Sequence, residues 1–214
     1  MLAKQAETRQ IPPFWNARPT ERQGDIVASV TDYIAAHQQV VRLTLMELET
    51  VAEAVGQALI RALRDGRKVL AFGNGGSATQ ASHLAGELIG RFSRPRRPLP
   101  AIALVADAGA MTCIANDFGY AAVFERQIEG LAVAGDVAIG LTTSGTSENV
   151  IRGLGAARRR GVLTVALTGQ AGLAGAEADH VVRVPSTATA TTQDVHLMLL
   201  HAWCAMIDAA FEAD

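Results

Sequence analysis

Two imidazoles, a carboxylate and a carboxamide stand at spacings that let them converge from two helices. His83 and Glu87 are four residues apart, which puts both side chains on one helix face. Gln193 and His201 are eight apart, two such steps along roughly one stripe of a helix. A set of this kind can hold a divalent metal or move protons as acid and base. Two loops accompany it. Phe72-Gly73-Asn74-Gly75-Gly76-Ser77 follows an apolar run and opens a helical stretch. Its glycines let the backbone approach an anion, and a helix N-terminus offers unpaired N–H groups. It lacks the G-x-G-x-x-G spacing of a dinucleotide fingerprint, and no Gly-Lys-Ser/Thr follows as in a Walker loop. In Thr142-Thr143-Ser144-Gly145-Thr146-Ser147 every residue except Gly145 carries a hydroxyl. Hydroxyls beside a helix N-terminus suit a phosphate monoester. Read alone, that loop is equally an ordinary turn with Ser147 as an N-cap.

The elements that must carry these groups read as an α/β alternation. Apolar residues recur at steps of three or four from Asp25 to about Arg64, in two sets. One set is Ile26, Val27, Val30, Tyr33 and Ile34; the other runs from Val41 to Leu63. The repeat predicts two helices ahead of the sheet. Strands are expected at 68–72, 100–105, 136–142, 162–168 and 179–184, with helices at 78–91, 147–160 and 189–211. Five short apolar strands alternating with helices argue for an open parallel sheet covered on both faces. Ligands of such sheets bind beyond the carboxyl ends of the strands, where both loops fall. Residues 1–24 read as an arm, in which Trp15 can anchor to a surface, and residues 25–214 as one domain.

Composition narrows the class. The chain has 214 residues, 49% hydrophobic but only 5% aromatic, which suits small side chains packed between helices and a parallel sheet. Net charge is −2, so nothing draws the chain to nucleic acid or an anionic membrane. Cys113 and Cys204 have no metal-ligand spacing, and a reducing, cytoplasmic setting is expected. No apolar run is read as long enough to cross a bilayer. The polar N-terminus, with Pro12, Pro13 and Pro19, does not read as a signal peptide. Arg94-Pro95-Arg96-Arg97 reads as a solvated turn and Arg158-Arg159-Arg160 as a helix end. Singly, His83 would be a solvated helix histidine and His201 a core histidine; their joint spacing with Glu87, Gln193 and the two loops favours a site. His37, His180 and His196 are assigned no part in it.

Residues from about 26 to 212 resemble the sugar isomerase (SIS) family, and within it the phosphoheptose isomerases. The resemblance is carried by GNGGSATQASHLAGELIGRF, LPAIAL, ANDFGY with VFERQIEGL, GDVAIGLTTSGTSENV, VALTG and TTQDVHLMLLHAWC. It implies conversion of sedoheptulose 7-phosphate to D-glycero-D-manno-heptose 7-phosphate, a step toward ADP-heptose. It also implies one zinc ion per subunit, ligated by His83, Glu87, Gln193 and His201. Implied substrate contacts are Asn74, Gly75, Gly76, Ser77, Glu87, Asn116, Asp117, Thr142, Thr143, Ser144, Ser147 and Gln193. Aldose–ketose isomerisation needs a base for a carbon proton, for which Glu87 is the candidate, and an acid partner, for which His201 is. The family association is a homotetramer with sites shared between subunits. Departures from the family pattern stand at Thr142, Thr146, Thr191 and Thr192, and leave an isomerase of another phosphosugar as an alternative. Non-catalytic relatives, phosphosugar-binding or DnaA-associating, form another; such relatives commonly lack the histidine that stands here as His201.

Overall fold

The computed structural model describes residues 29–212. The arm at 1–24 with Trp15, and Ile26 and Val27 of the first apolar set, lie outside the described residues. Helix α1 runs Val30–Arg64, 35 residues, capped by Ser29, whose Oγ accepts from the Asp32 N–H. One helix therefore stands where the sequence predicts two. Ile34 and Val41 are seven residues apart, so the stripe continues on one face through Ala35-Ala36-His37-Gln38-Gln39, which contains no breaker. The second half of α1 is buried at Leu48, Val55, Leu59, Ile60 and Leu63. The first half projects, with Val30, Ile34, Leu45 and Met46 exposed.

The remaining elements are β1 (Val69–Gly73), α2 (Gly76–Ile89), β2 (Ala101–Ala103), α3 (Ala108–Phe118), α4 (Val123–Leu131), β3 (Val137–Thr142), α5 (Glu148–Arg159), β4 (Leu163–Thr168), β5 (His180–Arg183) and α6 (Thr189–Phe211). A single 3-10 turn, Tyr120–Ala122, joins α3 to α4. The five strands form one sheet in the order β2-β1-β3-β4-β5, every pair parallel. Successive residues point to opposite faces. Val69, Ala71, Ile139, Leu141, Val165 and Leu167 meet the core formed with α1, α2 and α6. Leu70, Phe72, Ala138 and Ala166 meet the core formed with α4 and α5.

Helices α3 and α4 have no counterpart in the sequence reading. Helix α3 buries none of its residues fully; Met111, Ile114 and Ala115 lie half-buried against the α4–α5 core, a stripe of three on an eleven-residue helix. Helix α4 is only nine residues long and buries four of them. Two further expectations are corrected. Helix α6 spans 23 residues and includes a window of mean hydropathy 1.2, which is long and apolar enough to cross a membrane. Here it is a core helix, burying Val195, Leu200, Trp203, Ile207 and Phe211 among others. The run at 94–97 is also not wholly solvated. The Arg96 side chain is fully buried and its Nε donates to Asp208 Oδ1 at 2.9 Å. Its other nitrogens donate to the carbonyls of Glu87 (2.7 Å) and Leu88 (2.9 Å), satisfying the C-terminus of α2. Asp208 Oδ2 accepts from the N–H groups of Ser93 and Arg94 as well. Burial alone would raise the Asp208 carboxyl; those N–H groups and the guanidinium hold it below the usual carboxylate range.

Candidate active site

The connections after β1 and β3 leave on opposite faces of the sheet. Helix α2 packs with α1 and α6; α5 packs with α4 on the other side. Strands β1 and β3 are neighbours, so a crevice opens between their carboxyl ends, the switch point where open parallel sheets bind ligands. Both loops picked out in the sequence meet there. A cavity of about 330 Å³ is lined by Asn74, Gly75, Gly76, Ser77, Leu141, Thr142, Thr143, Ser147, Thr189 and Gln193. A larger hollow of about 710 Å³ lies between α1 and α6. It is lined by Ile34, Val41, Leu45 and Met198 together with Tyr33, His37, Gln38 and Arg42, and it lies away from both loops.

Local chemistry explains each wall of the smaller cavity. Gly76 opens α2 against Gln193 of α6, and a Cβ there would lie 2.7 Å from Gln193 Nε2, so a larger residue would displace the Gln193 carboxamide. Gly145 sits at φ +71°, where a Cβ would collide with the Gly172 carbonyl, so the hydroxyl loop turns there on a glycine. Ser147 holds the N-cap position of α5 but makes no side-chain cap bond. Its Oγ lies 2.9 Å from Thr142 Oγ1 instead. The two hydroxyls line the cavity beside the N-terminus of α5. Thr189, missed in the sequence, adds a hydroxyl from the first residue of α6; its signal was its place at the helix start.

Not every expected contact is brought in. Ser144 is exposed at the rim, its Oγ accepting from the Thr146 N–H (3.2 Å) and hydroxyl (3.0 Å). Asn116 and Asp117 are exposed on α3 and bond each other at 2.7 Å, away from the cavity lining. The structural tie from this segment to the crevice is Tyr120, whose hydroxyl donates to Asn74 Oδ1 at 2.8 Å.

The acid–base set assembles from α2 and α6. His83 Nε2 is 2.9 Å from His201 Nε2 and 3.3 Å from Glu87 Oε1. His83 is thus the shared corner of two imidazoles and one carboxylate. In a tetrahedral zinc site with bonds near 2.0–2.1 Å, donor atoms stand about 3.3 Å apart. The His83–Glu87 edge matches that spacing, and the His83–His201 edge is a few tenths of an ångström short of it. Among the described residues, no three His, Cys, Asp or Glu side chains close fully around one point. Gln193 keeps its carboxamide against Gly76, at the cavity end of the same α6 stripe. The donor types and the His83–Glu87 edge therefore fit zinc, while the His83–His201 edge is short and Gln193 stands apart from the set. Phe92 packs beside the His201 ring, with centroids 5.3 Å apart. Gln80 Nε2 donates to the Gln193 carbonyl at 2.7 Å and ties α2 to α6. Cys204, next on this side of α6, adds no thiolate. Burial, with the Glu87 and Asp208 charges, pushes its thiol up to about 12.

His196 lies outside the set but beneath it. It is fully buried, its Nε2 is 3.2 Å from the Thr168 carbonyl, and its Nδ1 has no partner. The bond to a carbonyl places the proton on Nε2. Burial lowers its pKa from 6.5 to about 4, against the opposing pull of that carbonyl. The neutral ring is the folded form, so its contribution is complete above pH 6.5 and is lost as pH falls toward 4. The loss approaches about 3 kcal/mol. Urea unfolding of the wild type and His196→Gln at a series of pH values checks this. The variant should lack that component of acid destabilisation; parallel pH profiles would contradict it.

With fold and crevice described, known proteins supply the class. The sequence matches the SIS domain family over residues 32–169, and the chain belongs to that family. A phosphoheptose isomerase of Aquifex aeolicus (strain VF5) is 48% identical over 171 residues, covering 78% of this chain and 89% of its own. Among solved structures, a phosphoheptose isomerase from Francisella tularensis superposes with a TM-score of 0.80 at 33% identity. The match covers 84% of this chain and 96% of that one. One from Neisseria gonorrhoeae gives 0.77 at 36% identity, covering 84% and 97%. Within the family the chain groups with the phosphoheptose isomerases, and it is an enzyme of the aldose–ketose isomerase type.

Proposed function

We propose that the enzyme converts sedoheptulose 7-phosphate to D-glycero-D-manno-heptose 7-phosphate by proton transfer through an enediol. The observation that carries this reading is the meeting of His83, Glu87 and His201 across α2 and α6, beside two anion-suited loops at the sheet's switch point. The similar proteins from A. aeolicus and F. tularensis bear the name phosphoheptose isomerase.

In this reading the loop at 74–77 and the hydroxyls of Thr142, Thr143, Ser144 and Ser147 hold the phosphate, and Gln193 and Thr189 face the sugar. Asn116 and Asp117 are expected contacts at its outer side. Glu87, a carboxylate only 22% exposed at its side chain, takes the proton from C1 and returns it at C2. Glu87 has two oxygens, so one can face His83 while the other meets the substrate. His201 moves the proton between the two sugar oxygens. His83, Glu87 and His201, with Gln193 as fourth donor, would hold a zinc ion, which would supply charge stabilisation to the oxyanion. The exposed apolar side chains of α1 and Met198 of α6 support a homotetramer with sites at subunit interfaces. The two free cysteines suit a cytoplasmic enzyme. ADP-heptose synthesis is the expected destination of the product.

Incubating the purified protein with sedoheptulose 7-phosphate and identifying the product by NMR tests the reaction. A second result follows from the phosphate assignment. Ser144→Ala with Ser147→Ala should raise KM by at least about tenfold, because even one hydrogen bond to a charged group contributes about 1.5–3 kcal/mol. Zinc content should not change. An unaltered KM in the double variant would move the phosphate elsewhere.

A further inference from the structure

The Asn74 carboxamide is engaged inside the protein. Its Nδ2 donates to Asn149 Oδ1 at 2.9 Å, and its Oδ1 accepts from Asn149 Nδ2 at 2.9 Å. The same Oδ1 accepts from the Tyr120 hydroxyl at 2.8 Å. The Val150 N–H donates to Asn149 Oδ1 at 3.0 Å, which fixes which way the Asn149 amide points. The reciprocal pair is thereby set in one orientation, with both lone pairs of Asn74 Oδ1 occupied. Asn149 is 4% exposed. It sits in the first turn of α5, two residues beyond Ser147.

These bonds join three chain segments distant in sequence. Asn74 stands in the glycine-rich loop, Asn149 in the helix that the hydroxyl loop opens, and Tyr120 in the turn after α3. The loop around Asn74 has glycine at 73, 75 and 76, so its backbone has more freedom than any other residue type would give it. A loop that must present N–H groups to an anion binds better when its geometry is set beforehand.

We propose that Asn149 and Tyr120 are positioning residues. Through Asn74 they lock the glycine-rich loop to the hydroxyl loop, so that the two form one rigid phosphate cradle. Asn74 serves as the anchor of that lock, and the backbone N–H groups and hydroxyls around it make the contacts to phosphate. The proposal rests on the phosphosugar reading of the crevice, and its test separates the two.

The test uses the full chain as wild type, Asn149→Ala, Asn74→Ala, the double variant and Tyr120→Phe. Each is measured for KM and kcat with sedoheptulose 7-phosphate, for inorganic phosphate affinity by calorimetry, and for melting temperature. Asn149→Ala should raise both KM and the phosphate Kd about tenfold, the scale of one net hydrogen bond. Its kcat should fall much less, because the loss is in binding common to ground and transition states. Asn74→Ala should match it, and the double variant should be no worse than either single one. Tyr120→Phe should show about a threefold rise by the same measures. A purely structural junction would lower melting temperature and leave KM and phosphate Kd alone, which overturns the proposal. So would multiplied effects in the double variant, which mean that Asn74 contacts the ligand independently of Asn149. Should Asn149→Ala fail to fold, Tyr120→Phe decides, since its ring is exposed; unchanged constants there overturn the lock. A wild type that binds phosphate without isomerising defeats the reaction proposed above, while phosphate affinity still reads the lock. A wild type that binds no phosphate defeats both.

Discussion

Glu87→Gln leaves the protein folded and lowers kcat by about 10²–10⁴-fold, the usual loss when a positioned general base is removed. Glutamine keeps the size and polarity of the side chain but cannot take a proton at neutral pH. Fold retention is expected because the side chain lies at a partly exposed corner of the site rather than in either hydrophobic core. The backbone of Glu87 is held independently, by Arg96 on its carbonyl. The assay is steady-state isomerisation, with a melting curve on the same preparation. Near-normal kcat in a folded variant would remove Glu87 from the chemistry.

Asp208→Ala has the largest expected effect on stability. Asp208 is 1% exposed and accepts from the Arg96 guanidinium and from the N–H groups of Ser93 and Arg94. Removing it strands a fully buried guanidinium and two N–H donors at once. Breaking one side of a buried pair costs about 3–5 kcal/mol, because the remaining charge has no water. For a domain of this size that is roughly a 10 °C drop in melting temperature. Activity should fall with it even below the melting point. Arg96 bridges the end of α2, which carries His83 and Glu87, to α6, which carries His201. Thermal unfolding and kcat measured together check this; an unchanged melting temperature would mean that Arg96 finds other partners.

The reach of the sequence differs from element to element. The alternation that builds the sheet is legible because β1, β3 and β4 are predominantly apolar runs, as strands covered on both faces are. The α2 and α6 groups are legible because spacings of four and eight survive whatever the tertiary structure does. Helix α3 is hard to read because it is short and buries no residue fully, its only core-facing stripe being Met111, Ile114 and Ala115. Two apolar sets predict two helices, yet α1 is one, because neither Gly nor Pro stands between Ile34 and Val41 to break it. Arg96 reads as surface because its partner lies 112 residues further on. Asn149 was hidden for a similar reason: next to a run of hydroxyls it looks like one more polar residue, and its amide partner is 75 residues away. Asn116 and Asp117 came from family resemblance alone, and the structure leaves them on an exposed helix outside the cavity.

Direct observation of the reaction bears hardest on the central claim. Purified protein supplied with zinc is mixed with sedoheptulose 7-phosphate, and the sugar phosphates are followed by NMR. The expected result is conversion to a ketose–aldose equilibrium containing the heptose 7-phosphate, fast for the wild type and nearly absent for Glu87→Gln. Unchanged sedoheptulose 7-phosphate, in the presence of folded protein shown to bind phosphate and zinc, would contradict it.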